Sequence, residues 1–254
     1  MIKIESTKNL TGVKITGSFD DLYELVEAFY KISVDEFSEK HKEYIHVSTR
    51  MLGLSYDIRH AYQGDRDIEL IDNGMDKETM KLRGEITPNK NVVYSCNYLY
   101  PEMFFCMAVI NELIILRVMD ITKTKYIFNE MFHQKVVWDK TISVLRSFQS
   151  AFAECVKNTL SEQSYRMWLK AMTDKDIYIT NILRQYVDLA NIDYIKLDKE
   201  KRIKNFLKFT RKITNYNSNK EYAEIEEEIY DYAAEHDCDV NSIRIGEYPE
   251  VIEW

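Results

Sequence analysis

The sequence predicts an α+β protein, with a small, mostly antiparallel sheet backed by helices over residues 1–122 and an all-helical half over 123–254 that ends in a short extended tail. Three observations carry this. Alternation of apolar and polar residues is found in the N-terminal part and in the tail. Six of the seven glycines lie between Gly12 and Gly84 and the seventh is Gly246, so residues 85–245 contain none. The prolines are only Pro88, Pro101 and Pro249, which leaves residues 102–245 without either strong breaker of regular structure and free to be helical almost throughout.

Taken in order, Ile2 and Ile4, then Val13 and Ile15, alternate with Lys3, Glu5, Lys14 and Thr16. That is the period of half-buried strands, here paired as a hairpin. Ser18 with Asp21 resembles a capping box, and Leu22, Leu25, Val26, Phe29 and Ile32 keep helical spacing to about Val34. A second helix is predicted from near Tyr44 to Tyr62, with Gly64 as its stop. A strand at Asp67–Ile71, a turn at Asp72-Asn73-Gly74, a short helix near Lys77–Leu82 and a strand at Val92–Leu99 follow. The run Met103–Val118 is apolar all round and predicts a buried helix, with Pro101 at its first position and Glu102 favoured by the positive helix start. Asn111, Glu112 and Arg117 interrupt that run, so it falls short of the ~18 clean apolar residues that suggest a membrane span.

Beyond Lys123 the apolar residues form helical stripes. Ile142, Leu145, Phe148, Phe152, Cys155 or Val156, and Leu160 make one, and Tyr165, Trp168, Leu169 and Met172 a second. Ile179, Ile182, Leu183, Tyr186, Val187 and Ala190 make a third, Ile203, Phe206, Leu207 and Ile213 a fourth, and Tyr222, Ile225, Ile229 and Tyr232 a fifth. Ser242–Ile245 and Val251–Trp254 alternate again and predict a small hairpin or an added edge strand.

With 34 basic and 42 acidic side chains, a net charge of -8 and 45% hydrophobic residues, the composition is that of a soluble globular protein. It excludes disorder, collagen and a nucleic-acid binder of the usual basic kind. Cys96, Cys106, Cys155 and Cys238 are too few and too scattered for a disulfide framework, and with no signal-peptide core at the start they predict reduced thiols in a cytoplasm. A P-loop, a dinucleotide-binding glycine motif and a G-x-S-x-G nucleophile elbow are all missing from the sequence.

Chemically useful residues are dense only between Arg50 and Arg66. On a helix, His46, Arg50, Gly53, Asp57 and His60 share one polar arc, separate from the arc of Val47, Met51, Leu54 and Ile58. Such an arc supplies a general acid or base, an orienting carboxylate and, with Arg59 or Arg66, an anion clamp, while Gly53 lets a backbone or ligand approach. The commoner use of such residues is structural, with Asp57 pairing to His60 or Arg50. His46 and His60 are too far apart for joint ligation and no zinc spacing is present, so neither a metal nor a cofactor is expected. His41, His133 and His236 are isolated and are expected at the surface.

The string Tyr56-Asp57-Ile58-Arg59-His60-Ala61, with Gly64, Arg66 and Asp72-Asn73-Gly74, resembles the N-terminal part of an uncharacterised family of bacterial proteins found mainly in low-GC Gram-positive bacteria and their mobile elements. The resemblance covers about the first half of the chain. It implies a bacterial or phage origin and carries no activity.

Charge segregates in the second half. Eight basic residues lie between Lys196 and Lys212, among them Lys204, Lys208 and Arg211, and nine acidic ones with no Lys or Arg lie from Glu221 to Asp239, including Glu226, Glu227 and Glu228. Two such helices can neutralise one another as an antiparallel pair, or the acidic one can dock a basic partner. The expectation for function is therefore a non-enzymatic interaction or regulatory protein, in a toxin–antitoxin or phage-defence setting, binding another protein or itself and neither membrane nor nucleic acid. The alternative is a metal-independent hydrolase or nuclease using the Arg50/Asp57/His60 arc.

Overall fold

A computed structural model describes residues 1–37, 39–124, 130, 132–173 and 179–254. Strands β1 (Lys3–Ser6), β2 (Gly12–Gly17), β3 (Asp67–Asp72) and β4 (Lys90–Leu99) form one antiparallel sheet in the order β1-β2-β4-β3. Register places Ile4 opposite Ile15 and Ile15 opposite Cys96, so the alternating apolar residues share the face turned to the core. At Gly12 the chain comes so close to β4 that an added Cβ would lie 2.0 Å from the carbonyl oxygen of Tyr98. Only glycine fits there.

The first helix, α1 (Phe19–Ile32), starts at the predicted capping box, in which the Ser18 hydroxyl accepts from Asp21 N–H and the Asp21 carboxylate accepts from Ser18 N–H. The second, α2 (Ile45–His60), is preceded by a 3₁₀ turn at Lys42–Tyr44 and continued by a π turn at Ala61–Asp65, which Gly64 ends with a φ of 93°. A short α3 (Lys77–Arg83) runs from Asp76 as N-cap to a left-handed Gly84. The apolar run forms α4 (Tyr100–Thr122), longer than predicted and with Pro101 in its first turn. Its residues Tyr100 to Ile110 are all buried. It is the central helix, packed against α2 on one side and the later helices on others.

Helices α5 (Gln134–Val137), α6 (Lys140–Thr159), α7 (Glu162–Met172), α8 (Arg184–Ile195), α9 (Lys199–Thr214) and α10 (Lys220–His236) complete the chain. The predicted boundary after residue 122 adjoins residues 125–129, which lie outside the described residues. Buried side chains from Ile4 to Ile229 form one connected apolar cluster, so the sheet, α4 and the later helices share a core.

Three expectations are corrected. Ile179, Ile182 and Leu183 precede α8 instead of lying in it, because Leu183 is extended, with φ -74° and ψ 136°, although all three are buried. The tail has no strand among the described residues: Val240–Ser242 is a 3₁₀ turn whose end is held by Gln185, which donates to the carbonyls of Val240 and Ile243. Further on, Thr11 holds the Glu253 carbonyl, so side chains and not a ladder secure this segment. Finally, His41 and His133 are only half exposed, His41 beside Asp120 and His133 capping α5, whereas His236 is exposed and stacks on Tyr232.

Candidate functional site

A cleft of about 600 Å³ opens where α2, the start of α4, α8, the end of β4 and the C-terminal segment meet. Helical spacing puts Arg50, Gly53 and Asp57 along one line of α2, and Asp188 and Asn191 along one line of α8. The first turn of α4 adds Glu102, β4 adds Asn97 and Tyr98, and the C-terminal segment adds Tyr248, Ile252 and Trp254.

At the floor, Arg50 donates from Nε to Glu102 Oε1 at 2.8 Å and from Nη2 to Glu102 Oε2 at 2.6 Å. The same Nη2 reaches Asp188 at 2.8 Å, and Nη1 reaches the carbonyl of Arg184 at 3.0 Å. Asn191 donates to Glu102 at 2.6 Å and the Tyr248 hydroxyl donates to Asp188 at 3.0 Å. Burial alone would pull the Arg50 guanidinium down, but Glu102 and Asp188 outweigh it and hold its pKa well above the ordinary value. Burial also raises the Tyr98 and Tyr248 hydroxyls, with neighbouring carboxylates adding to the effect. Two amides in the lining are unsatisfied. Among the described residues the buried Oδ1 of Asn191 has no hydrogen-bond partner, and neither does that of Asn97.

The predicted polar arc is divided by the fold. Arg50, Asp57 and Arg66 border the cleft, and Asp57 pairs with Arg66 at 2.9 Å, not with His60 or Arg50. His60 turns to Asp65 at 2.8 Å and packs on the Tyr56 ring. Arg59 donates to the Tyr30 hydroxyl at 3.2 Å and lies over Tyr56. His46 lines a neighbouring hollow with Val47, Phe105 and Tyr230. Gly53 meets only the Tyr98 hydroxyl, which would lie 3.6 Å from an added Cβ, so close packing does not demand glycine there. Sequence reasoning missed Asp188, Asn191 and Tyr248 and gave Glu102 only a helix-end role, since nothing local marks residues that meet across such separations.

These groups are tightly paired. Every nitrogen of Arg50 is already engaged, which leaves no open fork for an anion. Burial holds the Cys106 thiol well above its usual range and pushes Cys96 up to about 12, so neither is a thiolate nucleophile. Among the described residues no group of three or more His, Cys, Asp or Glu side chains is placed to hold a metal ion.

The charged helices lie apart from this cleft. Lys204, Lys208 and Arg211 are exposed on α9 and have no carboxylate partner among the described residues, while Arg202 and Lys212 turn inward. One ion pair between α9 and α10, Lys212 to Glu221 at 2.8 Å, appears among the described residues. Glu227 and Glu228 are exposed, and Glu226 accepts from the Tyr222 hydroxyl at 2.9 Å.

A second surface stands out by its apolar character. On the core-side face of the sheet, cover declines from Cys96 through Tyr94 to Val92, which is 43% exposed, and its β3 neighbours Ile68 and Leu70 are 52% and 62% exposed. Phe19 and Tyr23 on α1 are also exposed and contact the Tyr62 ring at 5.1 and 6.1 Å. Strand β3 is the open edge of the sheet.

Fold and cleft together define an α+β protein in which a central buried helix carries a charge-paired cleft. The chain belongs to the family described as Domain of unknown function (DUF6904), whose model matches residues 2–254, and the match therefore takes in the helical half as well as the N-terminal half. No curated protein and no solved structure matches it. Among the described residues no helix is long and apolar enough to cross a membrane.

Proposed function

We propose that this chain is a non-enzymatic interaction or regulatory protein whose partner is another protein. The observation that carries this is the open β3 edge beside the uncovered Ile68, Leu70 and Val92. Contiguous exposed apolar area of this kind marks interaction sites, and a free edge adds a strand through main-chain hydrogen bonds.

The occupant we propose is an extended segment of another protein, apolar opposite Ile68 and Leu70 and cationic opposite Asp67 and Glu69. Charge supports this choice: on the outer face Glu69 already pairs with Lys14 across the sheet. A cation on the outer side continues that alternation. A second copy fits less well in the register that sets Ile68 opposite Leu70, since antiparallel self-pairing there sets Glu69 opposite Glu69. The acidic α10 face, with Glu227 and Glu228, suits the same kind of partner. Nucleic acid is not proposed as the ligand, because a net charge of -8 opposes phosphate despite exposed Lys204, Lys208 and Arg211. Bacterial or phage origin, with a toxin–antitoxin or phage-defence setting, rests on the resemblance of residues 56–74, and a cytoplasmic setting on the unpaired, buried Cys96, Cys106 and Cys155. Against the hydrolase alternative stands the separation of Arg50, Asp57 and His60 into three different pairings.

The test titrates a fluorescent synthetic peptide that alternates lysine with valine into the wild type and into Leu70→Glu, and sediments the unliganded protein. Saturable binding lost in the variant is expected. A wild-type dimer dissolved by Leu70→Glu would make a second copy the occupant. Phosphodiester or ester turnover abolished by Asp57→Ala would restore the hydrolase.

A further inference from the structure

We infer that the cationic face of α9 docks on the acidic face of α10 in a second copy of this chain, the two helices running antiparallel. This interface is separate from the β3 edge, and neither depends on the other.

Helix geometry comes first. Lys204, Lys208 and Arg211 fall in one line on the side of α9 opposite its buried Phe206 and Ile213. Glu224, Glu227 and Asp231 fall in one line on the side of α10 opposite its buried Tyr222 and Ile229. All six are exposed. From the N-terminal end the cations are spaced by four residues and then three, and from the C-terminal end the acids are spaced by four and then three as well. An antiparallel pair therefore sets Lys204 opposite Asp231, Lys208 opposite Glu227 and Arg211 opposite Glu224.

Within one copy these lines are unmatched. Among the described residues Lys204, Lys208 and Arg211 have no carboxylate partner and Glu227 and Asp231 have no cationic one, while Glu224 meets only the exposed Lys220 at 3.3 Å. The pair that does join the two helices, Lys212 to Glu221 at 2.8 Å, lies off both lines. A chain that carries both halves of a complementary contact, on helices that do not bring them together, meets the missing half in a second copy.

The flanks select the antiparallel arrangement. Beside its charged line α9 carries Ile203, which is 42% exposed, and the half-buried Leu207, and beside its own line α10 carries Tyr230, which is 52% exposed. Both apolar flanks lie on the same rotational side of their lines. Helices that face each other antiparallel bring such flanks together, whereas a parallel pair sets them on opposite sides. In this register Tyr230 falls level with the gap between Ile203 and Leu207. Exposed ion pairs alone are worth little, and apolar surface buried along their edge supplies what they lack.

The test sediments the full chain to equilibrium at about 50 mM and about 500 mM salt. At the lower value the net charge of -8 on each copy is screened beyond about 14 Å, while opposed charges in contact still attract. A dimer is expected there, weakened at least about tenfold at the higher value. Lys204→Glu/Lys208→Glu and Glu227→Lys/Asp231→Lys should each weaken self-association at least about tenfold, with melting temperatures near that of the wild type because all four residues are exposed. An equal mixture of the two variants should dimerise again, because the reversed α9 of one meets the reversed α10 of the other. A wild type that stays monomeric in the lower salt, a dimer that persists in both variants, or a mixture that associates no better than its components would overturn the inference. A dimer that persists in both variants and is dissolved by Leu70→Glu would place the second copy at the β3 edge instead.

Discussion

Arg50 on α2 and Glu102 in the first turn of α4 form a two-pronged ion pair, 2.8 and 2.6 Å, with both side chains about nine-tenths buried. A third bond at 2.8 Å brings in Asp188 from α8, so one guanidinium ties together three helices that are distant in sequence. A fork that matches a carboxylate in geometry is among the strongest polar contacts a protein makes.

Arg50→Met is therefore expected to cost about 3–5 kcal/mol, because it strands two carboxylates at the floor of the cleft. Urea denaturation at neutral pH measures this, and a loss below about 1 kcal/mol would mean that the pair is as weak as an exposed one.

Asp57→Ala should behave differently. Its partner Arg66 is 40% exposed at the side chain and Asp57 is 31% exposed, which is the regime of surface pairs worth about 1 kcal/mol or less. Thermal melts of the two variants side by side decide whether Asp57 or Arg50 holds this region together.

Asp139 provides the pH test. It caps α6 through Ile142 N–H at 2.9 Å and accepts from Arg117 at 3.0 and 2.7 Å. Burial raises its pKa, but Arg117 and the backbone N–H groups outweigh that, and the net shift is downward. A carboxyl depressed on folding contributes stability above its unfolded value of about 3.9, and the contribution is lost as pH falls through the lower folded value. Asp139→Asn keeps a good cap and removes the charge, so it should cost about 1.5–3 kcal/mol at pH 7. The gap to wild type should hold down to about pH 4 and close only below it.

Gly53 and Gly12 should respond to alanine in opposite ways. At Gly53 an added Cβ meets only an ordinary contact, so Gly53→Ala should stabilise α2 by about 0.5–1 kcal/mol. At Gly12 it meets the β4 backbone at 2.0 Å, and Gly12→Ala should lower the melting temperature steeply or prevent folding. Parallel thermal denaturation of the two variants checks both signs.

The sequence by itself determined what depends on neighbours within a few residues. Period-two alternation marked β1 and β2, the Ser18–Asp21 pair marked the start of α1, and Gly64 marked where the extension of α2 ends. These are legible because strand pleat, capping and left-handed turns are local conformational preferences. The polar arc of α2 was legible for the same reason, but what its members bind was not. Asp188 lies 138 residues from Arg50 and Glu102 lies 52 away, and no spacing rule connects them. Only tertiary packing decided those pairings: once apolar surfaces had brought α2, α4 and α8 together, the buried carboxylate of Glu102 required a cation within reach, and Arg50 was the one that the packing placed there. Packing likewise set the end of β3 beyond the cover of the helices, and so left Ile68 and Leu70, apolar as any core strand, facing solvent.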